Sequence, residues 1–179
     1  MINSKKELNE YLKYEKSMYL ISKQHYLGML LKCDQDLYIW KYLFALRHLE
    51  YNLNNGNKIR ALYWERKKNK LGVKIGIYIH PNCVEKGLRI WHIGNIIIHK
   101  DAIIGSDCQL HGFNCIGNKG IACSGVPIIG NRVNIGVGAI IIGPVTIADD
   151  ITVAANAVVT HSISEKSSIL AGIPAKKIN

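Results

Sequence analysis

The chain has 179 residues, of which 48% are hydrophobic and 20% are charged, so it is neither disordered nor fibrous and suits one domain with a small appendage. The net charge of +10 predicts attraction to anions such as nucleic acid, lipid head groups or a phosphorylated cofactor. No 18-residue window is uncharged and apolar, and the start MINSKKELNE has no apolar run, so neither a membrane span nor a secretory signal is expected. The five cysteines form no CxxC pair, which is typical of a reduced cytoplasmic protein.

Residues 1–74 are predicted to form a short helical region. Leu37, Trp40 and Phe44 follow helical spacing, and Tyr51 lies two turns further on, so together they predict an apolar stripe. The sequence NNG at 54–56 predicts the end of that helix.

A second helix is predicted from Lys58 to Leu71, with Gly72 as its C-cap. The first 80 residues hold 15 Lys and Arg but only 7 Asp and Glu, and a lysine-rich face of this kind is ordinarily solvated. The same charge leads us to expect a weak association with an anionic membrane surface.

A six-residue repeat fills the second part of the chain. From Ile98 the blocks read IHKDAI, IGSDCQ, LHGFNC and IGNKGI, and from Ile129 they read IGNRVN, IGVGAI, IIGPVT, IADDIT, VAANAV and VTHSIS. An aliphatic residue opens every block, and a small or aliphatic residue mostly takes the fifth place, with Asn114 as the exception. Three such blocks form one triangular coil of a parallel β-helix, with the opening residue in the core. The sequence therefore predicts a mainly β protein, with a β-helix over 75–165 and a tail over 166–179.

The repeat is interrupted once. The step from Ile116 to Ile129 is 13 residues, which is not a multiple of six, so residues 118–127 are predicted to leave the coil as a protruding loop. Loops on a rigid solenoid commonly carry function.

Five segments of this repeat region resemble a known family. They are GIYIHPNC (76–83), GLRIWHIGNIII (87–98), IIGNRVNIGVGAIIIG (128–143), VAANAVV (153–159) and LAGIPAKKI (170–178). They are similar to the hexapeptide-repeat acyltransferases, in the serine acetyltransferase-like branch. The resemblance implies a left-handed parallel β-helix, acetyl-CoA as the acyl donor, no metal, and a homotrimer with the acceptor cleft between subunits.

The same segments depart from the serine enzymes at three places. Trp91 precedes His92 where the family has Asp before its catalytic histidine, Tyr78 replaces an Asp, and the stretch 126–129 lacks a second family histidine. The pattern more closely resembles the short relatives found with capsule and lipopolysaccharide genes. The function expected is therefore acetyl-CoA-dependent O-acetylation of a sugar or surface-polysaccharide intermediate. Serine O-acetylation is the alternative, and a β-helix scaffold without catalysis is the non-enzyme alternative.

His92 and His111 are the candidate catalytic residues. They are 19 residues apart, close to one 18-residue coil, so we expect them on adjacent coils along one edge. Acetyl transfer needs a base for the acceptor hydroxyl and a donor for the oxyanion, and imidazole suits the first task. His92 is the predicted base and His111 would orient the acceptor or help hold the oxyanion; the reverse assignment stays open. The loop 118–127 is expected to wall a cleft beside both.

Other site residues follow from the same resemblance. The cleft that binds the acceptor would be lined by Tyr78, His80, Trp91 and Asn95. The predicted coenzyme A residues are small residues of the late coils and polar or basic residues after them: Gly136, Gly138, Ala139, Ala154, Ala155, Thr160, Lys176 and Lys177. The small residues also suit tight β-helix corners whether or not coenzyme A binds.

Three rival chemistries are weaker. A zinc site like that of the γ-type carbonic anhydrases would need a third histidine where Ile116 stands, so no metal is expected. No nucleic-acid-binding motif is present, so no nucleic acid is expected. Cys115 and Cys123 lie near the loop, but direct transfer in a ternary complex is preferred over an acetyl-cysteine.

Overall fold

The computed structural model describes residues 1–20, 22–120 and 125–178. The chain divides into two compact units, Met1–Gly76 and Ile77–Asn179. Within the described residues the first unit holds four helices: α1 Lys5–Tyr19, α2 Lys23–Lys32, α3 Gln35–Asn54 and α4 Lys58–Ile75. In this described part of the chain, no helix combines the length and the hydropathy needed to cross a membrane.

Helix α1 begins at a capping box formed by Ser4 and Glu7. The Ser4 hydroxyl accepts a hydrogen bond from the Glu7 amide at 3.1 Å, and the Glu7 carboxylate accepts one from the Ser4 amide at 2.9 Å. These bonds satisfy amides that lack a partner within the helix. Amide hydrogen bonds from Asn3 and Ser4 also lower the pKa of Glu7. The structure adds α1 and α2 to the two predicted helices.

Helix α3 confirms the helix predicted around Leu37 and Trp40, and its C-cap is Asn55. The predicted stripe is not its most buried side, because Phe44 is only half-buried whereas Leu43 and Leu46 are fully buried. Helix α3 contacts α1, α2 and α4, so several of its sides are covered at once. The periodicity predicts the helix but not which of its sides is the most buried.

Helix α4 ends one turn later than predicted. The expectation that Gly72 is its C-cap is wrong, because Gly72 is buried inside the helix and the cap is Gly76, with a φ of 73°. The Gly76 amide donates to the Gly72 carbonyl. Glycine adopts this left-handed conformation at little cost, and residues 73–75 carry no helix breaker. The boundary between the units therefore follows residue 76 rather than residue 74.

A buried ion cluster ties α1 to α3. The Arg47 guanidinium donates from Nη2 to Glu15 Oε1 at 2.7 Å and from Nη1 to Glu50 Oε2 at 2.9 Å, and it lies 5.2 Å from the centroid of the Tyr11 ring. Burial by itself lowers the pKa of Arg47, but the two carboxylates outweigh it and the pKa is raised. Arg47 thus stays charged inside the helical unit.

His48 packs among aromatic rings between α3 and α4. Its ring is stacked on Trp64 with centroids 4.3 Å apart, and its centroid lies 4.4 Å from that of Phe44. Burial, and then the nearby charge of Lys67, lower the pKa of His48. The folded unit therefore favours the neutral imidazole.

We expect the helical unit to lose stability as the pH falls below about 6.5, the ordinary histidine pKa. The folded pKa of His48 is below the unfolded one, so the unfolded state binds the proton first. The stability that His48 contributes is complete above the unfolded pKa and is lost as the pH falls through the folded one. Urea unfolding at neutral and mildly acidic pH would measure the loss, and His48→Phe should reduce it. His25→Phe, which changes an exposed histidine of α2, should leave the pH dependence of the free energy of unfolding unchanged. If His48→Phe kept the same pH dependence as the native chain, His48 would not be its source.

The second unit is a parallel β-helix whose described strands form three sheets, called faces 1, 2 and 3. Face 1 consists of β1 Ile77–Ile79, β3 Ile96–Ile98, β6 Cys115–Gly117, β9 Ile140–Ile142 and β12 Val158–Val159. Face 2 consists of β4 Ile103–Ile104, β7 Ile128–Ile129 and β10 Thr146–Ile147. Face 3 consists of β2 Arg89–Ile90, β5 Gln109–Leu110, β8 Asn134–Ile135, β11 Thr152–Val153, β13 Ile169–Gly172 and β14 Ala175–Lys177.

The core of this unit is the predicted ladder. Every residue that opens a six-residue block is buried, with at most 2% of its surface exposed: Ile98, Ile104, Leu110, Ile116, Ile129, Ile135, Ile141, Ile147, Val153 and Val159. Parallel pairing stacks them, for example Ile98 on Ile116 and Ile116 on Ile141. The ladder buries apolar surface continuously along the prism, which is how a solenoid gains its stability.

The residues expected to form a tail continue the β-helix instead. Strand β13 pairs in parallel with β11, with Thr152 opposite Ile169, and β14 then turns back antiparallel. The physical reason is Leu170, which is fully buried and supplies one more inward-facing aliphatic residue.

The segment predicted to form a loop joins β6 of face 1 to β7 of face 2. Residues 121–124 of the segment 118–127 lie outside the described residues, and so does Cys123. On the described side, Lys119 Nζ lies 3.4 Å from the Thr160 carbonyl oxygen.

Candidate active site

The candidate site lies at the corner where face 3 leads into face 1, named here the His92 corner. It comprises residues 91–95, 112–114, 136–139 and 154–156, one segment from each successive coil. Backbone hydrogen bonds hold the segments together, including Gly138 N to Gly112 O at 2.9 Å and Asn156 N to Val137 O at 2.9 Å.

The first segment of this corner is longer than the repeat requires. The step from the buried Ile90 to the buried Ile98 is eight positions, whereas the step from Leu110 to Ile116 is six. The two additional residues put His92, Ile93 and Asn95 at the exposed tip of the corner. The extra length lies before Ile98, where the regular six-residue pattern begins.

His92 and His111 lie on adjacent coils along one edge, as predicted, but one position out of register. Strand pairing sets Ile90 opposite Leu110, so His111 is the neighbour of Trp91 and His92 is the neighbour of Gly112. A side-chain carbon added to Gly112 would lie 3.6 Å from the His92 Cβ. The missing side chain at Gly112 therefore leaves open the space beside His92.

His111 is held in place by two contacts. Its ring is stacked on Trp91, with centroids 5.8 Å apart and planes 21° apart, and its Nε2 lies 2.8 Å from Asn134 Oδ1. With Oδ1 facing the ring, the proton of a neutral His111 sits on Nε2 and points at Asn134. This arrangement suits a positioning role better than a freely accessible base.

Trp91 is itself tied into a strip on the outer side of face 3. Its indole N–H donates to Gln109 Oε1 at 2.9 Å, and the Arg89 guanidinium lies 4.8 Å from its ring centroid. The rings of Trp91 and His111 and the guanidinium of Arg89 thus form one layered wall beside His92. Sequence reasoning missed Arg89, Gln109 and Asn134, because each takes an outward-facing position that the repeat leaves unrestricted.

Asn114 explains the one exception in the fifth place of the repeat. It is buried, its Oδ1 accepts a bond from the Gly112 amide at 3.0 Å, and its Nδ2 donates to the carbonyls of Gly136 at 2.8 Å and Ala139 at 3.3 Å. A buried amide is stable only when bonded in this way. Asn114 therefore fastens the segment beside His92 to the next segment of the corner.

The small residues predicted to bind coenzyme A stack in the same corner. Gly136, Gly138 and Ala139 lie one coil beyond Gly112, and Ala154 and Ala155 lie one coil further. Coil packing alone requires Gly136, since a Cβ there would meet the Ala155 amide nitrogen at 2.7 Å, and Gly138 has a φ of 70°, which favours glycine whether or not a ligand binds. These glycines are consistent with an approaching pantetheine arm but do not by themselves indicate one.

The remaining predicted coenzyme A residues lie elsewhere. Thr160 follows β12 at the corner between faces 1 and 2, where its hydroxyl contacts His161 Nδ1 at 3.0 Å. Lys176 and Lys177 lie on β14 at the edge of face 3, and Lys177 pairs with Glu165. The Lys177 charge is therefore partly neutralised within the chain.

Tyr78 and His80 are not brought to the His92 corner of the same protomer. Their rings contact each other edge to face, with centroids 4.8 Å apart, on the outer side and at the far end of β1. The pairing of Ile79 with Ile98 makes His80 the neighbour of His99. The loop starts at this same far end, so its described residues do not wall the edge beside His92. The expectation that the loop walls a cleft beside both histidines stays a prediction, because residues 121–124 of the loop lie outside the described residues.

Cys108 and Cys115 are poorly suited to nucleophilic attack. Burial raises the pKa of Cys108 to about 11 and also raises that of Cys115, so both stay largely protonated near neutral pH. Among the residues with described positions, no three His, Cys, Asp or Glu side chains are grouped so as to hold a metal ion.

Comparison with known proteins agrees with this architecture. No protein-family model matches the sequence. The chain is 30% identical over 134 residues to a serine acetyltransferase of Mycobacterium tuberculosis, covering 69% of this chain and 58% of that protein. It is 35% identical over 105 residues to a serine acetyltransferase of Helicobacter pylori, covering 58% of this chain and 61% of that protein. The chain is thus similar in sequence to the serine acetyltransferase-like branch of the hexapeptide-repeat acyltransferases.

Solved structures of this family share the fold. The serine acetyltransferase of Brucella abortus superposes with a TM-score of 0.74 at 20% identity, over 97% of this chain and 70% of that one. A structure of the same bacterium's enzyme in complex with coenzyme A gives 0.70 at 20% identity, over 96% and 66%. The β-helix is thus the left-handed type expected from the sequence. The chain spans about three fifths of the length of the curated relatives it matches.

Proposed function

We propose that this protein transfers the acetyl group of acetyl-CoA to the hydroxyl of L-serine. The observation that carries the proposal is the His92 corner, where an exposed histidine stands beside a column of small residues on consecutive coils. The names of the relatives support serine as the acceptor, which the sequence had ranked second to a sugar. Arg89 supports it independently, because a guanidinium at this edge can bind the carboxylate of an amino acid with two parallel hydrogen bonds.

The reaction we propose needs one base and one proton return. His92 accepts the proton of the serine hydroxyl as its oxygen attacks the thioester carbonyl carbon. Amide or imidazole N–H groups at the corner stabilise the oxyanion of the tetrahedral intermediate. When the carbon–sulfur bond breaks, the protonated His92 returns its proton to the thiolate, giving O-acetylserine and free coenzyme A. His111, fixed by Trp91 and Asn134, positions the acceptor.

The remaining features of the proposal concern assembly and surroundings. We propose that the protein acts as a homotrimer in the cytoplasm, with the acceptor cleft completed by a neighbouring subunit. Tyr78 and His80 lie away from His92 within one protomer. In such a cleft they would lie beside the His92 of a neighbouring protomer. The small residues of the late coils would admit the pantetheine arm.

A sugar or polysaccharide intermediate is the second candidate acceptor. It is favoured by Trp91, whose side chain is 39% exposed and stands next to His92. Aromatic faces suit carbohydrate rings, but the contacts of Trp91 with Arg89 and His111 already occupy much of its ring.

Thiol release from acetyl-CoA should rise with L-serine and stay at background with hexoses and nucleotide sugars. In Arg89→Gln, the KM for L-serine should rise about tenfold or more, since a charge-assisted bond is lost, while the KM for acetyl-CoA stays unchanged. Lys86→Gln, which removes a neighbouring positive charge, is the matched control. Turnover with a sugar alone would select the second candidate. If no acceptor increased thiol release and calorimetry detected no binding of coenzyme A, the proposal that the protein is an acetyltransferase would be wrong.

A further inference from the structure

The helical unit contains a groove that acetyl transfer does not use. It has a volume of about 770 Å³ and lies between α2, α3 and α4. Its floor includes the apolar stripe of α3, namely Leu37, Trp40 and Phe44, together with Leu71 of α4. Cavities of about 300–1,000 Å³ with mostly apolar walls are typical of small-ligand sites.

The charge of the groove is of one sign. Every charged residue that lines it is a lysine: Lys41 on α3 and Lys67, Lys70 and Lys74 on α4. The three lysines of α4 follow helical spacing, so they share one side of that helix. An apolar floor with a purely cationic rim fits an occupant that has an apolar body and a negative end.

Two of these lysines contact the same aromatic ring. The ammonium groups of Lys41 and Lys74 lie 5.8 Å and 4.5 Å from the centroid of the Tyr38 ring, which connects the α3 and α4 sides of the rim. Lys67 is held in a similar way, 4.8 Å from the Trp64 ring centroid. An anionic group at the part of the rim near Lys41 and Lys74 is therefore attracted by charges from both helices.

We propose that this groove binds an amphiphile with one hydrocarbon chain and one anionic head group, such as an alkyl or prenyl phosphate. The head group lies between Lys41 and Lys74, and the chain lies on Leu37, Trp40 and Phe44. Burial of the chain contributes in proportion to the apolar area covered, and the two ammonium groups select the charged head. The proposal is independent of acetyl transfer and stands whichever acceptor is found.

Monomeric n-decyl phosphate is the probe, added to the full-length protein below its micelle concentration. Trp64→Phe with Trp91→Phe leaves Trp40 as the single tryptophan, so its emission reports occupancy of the floor. We expect saturable binding with one site per chain, together with a shift in Trp40 emission. Lys41→Gln with Lys74→Gln should raise the Kd about tenfold or more. Lys5→Gln with Lys6→Gln removes the same charge outside the groove and should leave the Kd within about twofold.

Several results would overturn the proposal. Equal binding of n-decanol and n-decyl phosphate would show that the lysines do not select an anionic head group. Binding only to vesicles of phosphatidylglycerol, without binding of the monomeric probe, would show a charged surface rather than a site. A saturable signal that is unchanged in Lys41→Gln with Lys74→Gln, in protein with native circular dichroism, would place the ligand elsewhere. Binding that appears only when oligomers dissociate would show that a second copy of the chain covers the groove.

Discussion

Replacing His92 by alanine should lower turnover of acetyl-CoA and L-serine by about 10²–10⁴-fold, the usual contribution of a general base. The loss should fall on kcat, because the imidazole takes the proton as the new bond forms and adds little to ground-state binding. Initial rates over a matrix of both substrate concentrations would separate kcat from the two KM values. Calorimetric binding of coenzyme A should be unchanged.

The matched control is His25→Ala, which removes an exposed histidine of the helical unit and should leave turnover within about twofold. His111→Ala should act differently from His92→Ala, because His111 is stacked on Trp91 and bonded to Asn134. We expect it to raise the KM for the acceptor more than it lowers kcat. Full turnover in His92→Ala would refute the base assignment, and a larger kcat loss in His111→Ala would exchange the two roles.

Replacing Arg47 by methionine should destabilise the helical unit by about 3–5 kcal/mol, because it removes the cation that is bonded to the buried carboxylates of Glu15 and Glu50. Methionine fills part of the volume, so the loss reports mainly the lost charge interactions. Urea unfolding, followed by circular dichroism at a helix wavelength, would measure the free energy of unfolding. Arg60→Met, on the exposed side of α4, should change it by less than about 0.5 kcal/mol.

The same cluster offers a rescue experiment. The triple variant with Arg47→Met, Glu15→Gln and Glu50→Gln removes all three charges together and should recover a substantial part of the loss. A single Arg47→Met variant as stable as the native chain would mean that water reaches the carboxylates. That result would contradict the full burial of Arg47 and Glu15.

Much of the fold could be predicted because its determinants are local. A side chain that opens a six-residue block faces inward wherever the block lies, so Ile98, Leu110 and Ile135 were assigned correctly to the core. The helix at Leu37 was equally readable from its spacing. The end of α4 was not, since Gly72 and Gly76 are both plausible caps and only packing of the last turn selects between them.

The candidate site was predictable in part for the same reason. Counting one coil correctly set His92 and His111 on one edge, but the two extra residues of the first corner shift the register. That shift makes Trp91, and not His92, the partner of the His111 ring. The roles of Arg89 and Asn134 depend on this register, so no pattern of six could reveal them.

The coiled architecture, the helical region and the shared edge of His92 and His111 could be predicted, because each depends on periodic burial along the chain. The side-chain contacts could be seen only in the folded chain: the wall of Arg89, Trp91 and His111, the buried charges around Arg47, and the lysines near Tyr38. Contacts between coils or helices depend on register and packing, which insertions of one or two residues change without altering the local pattern.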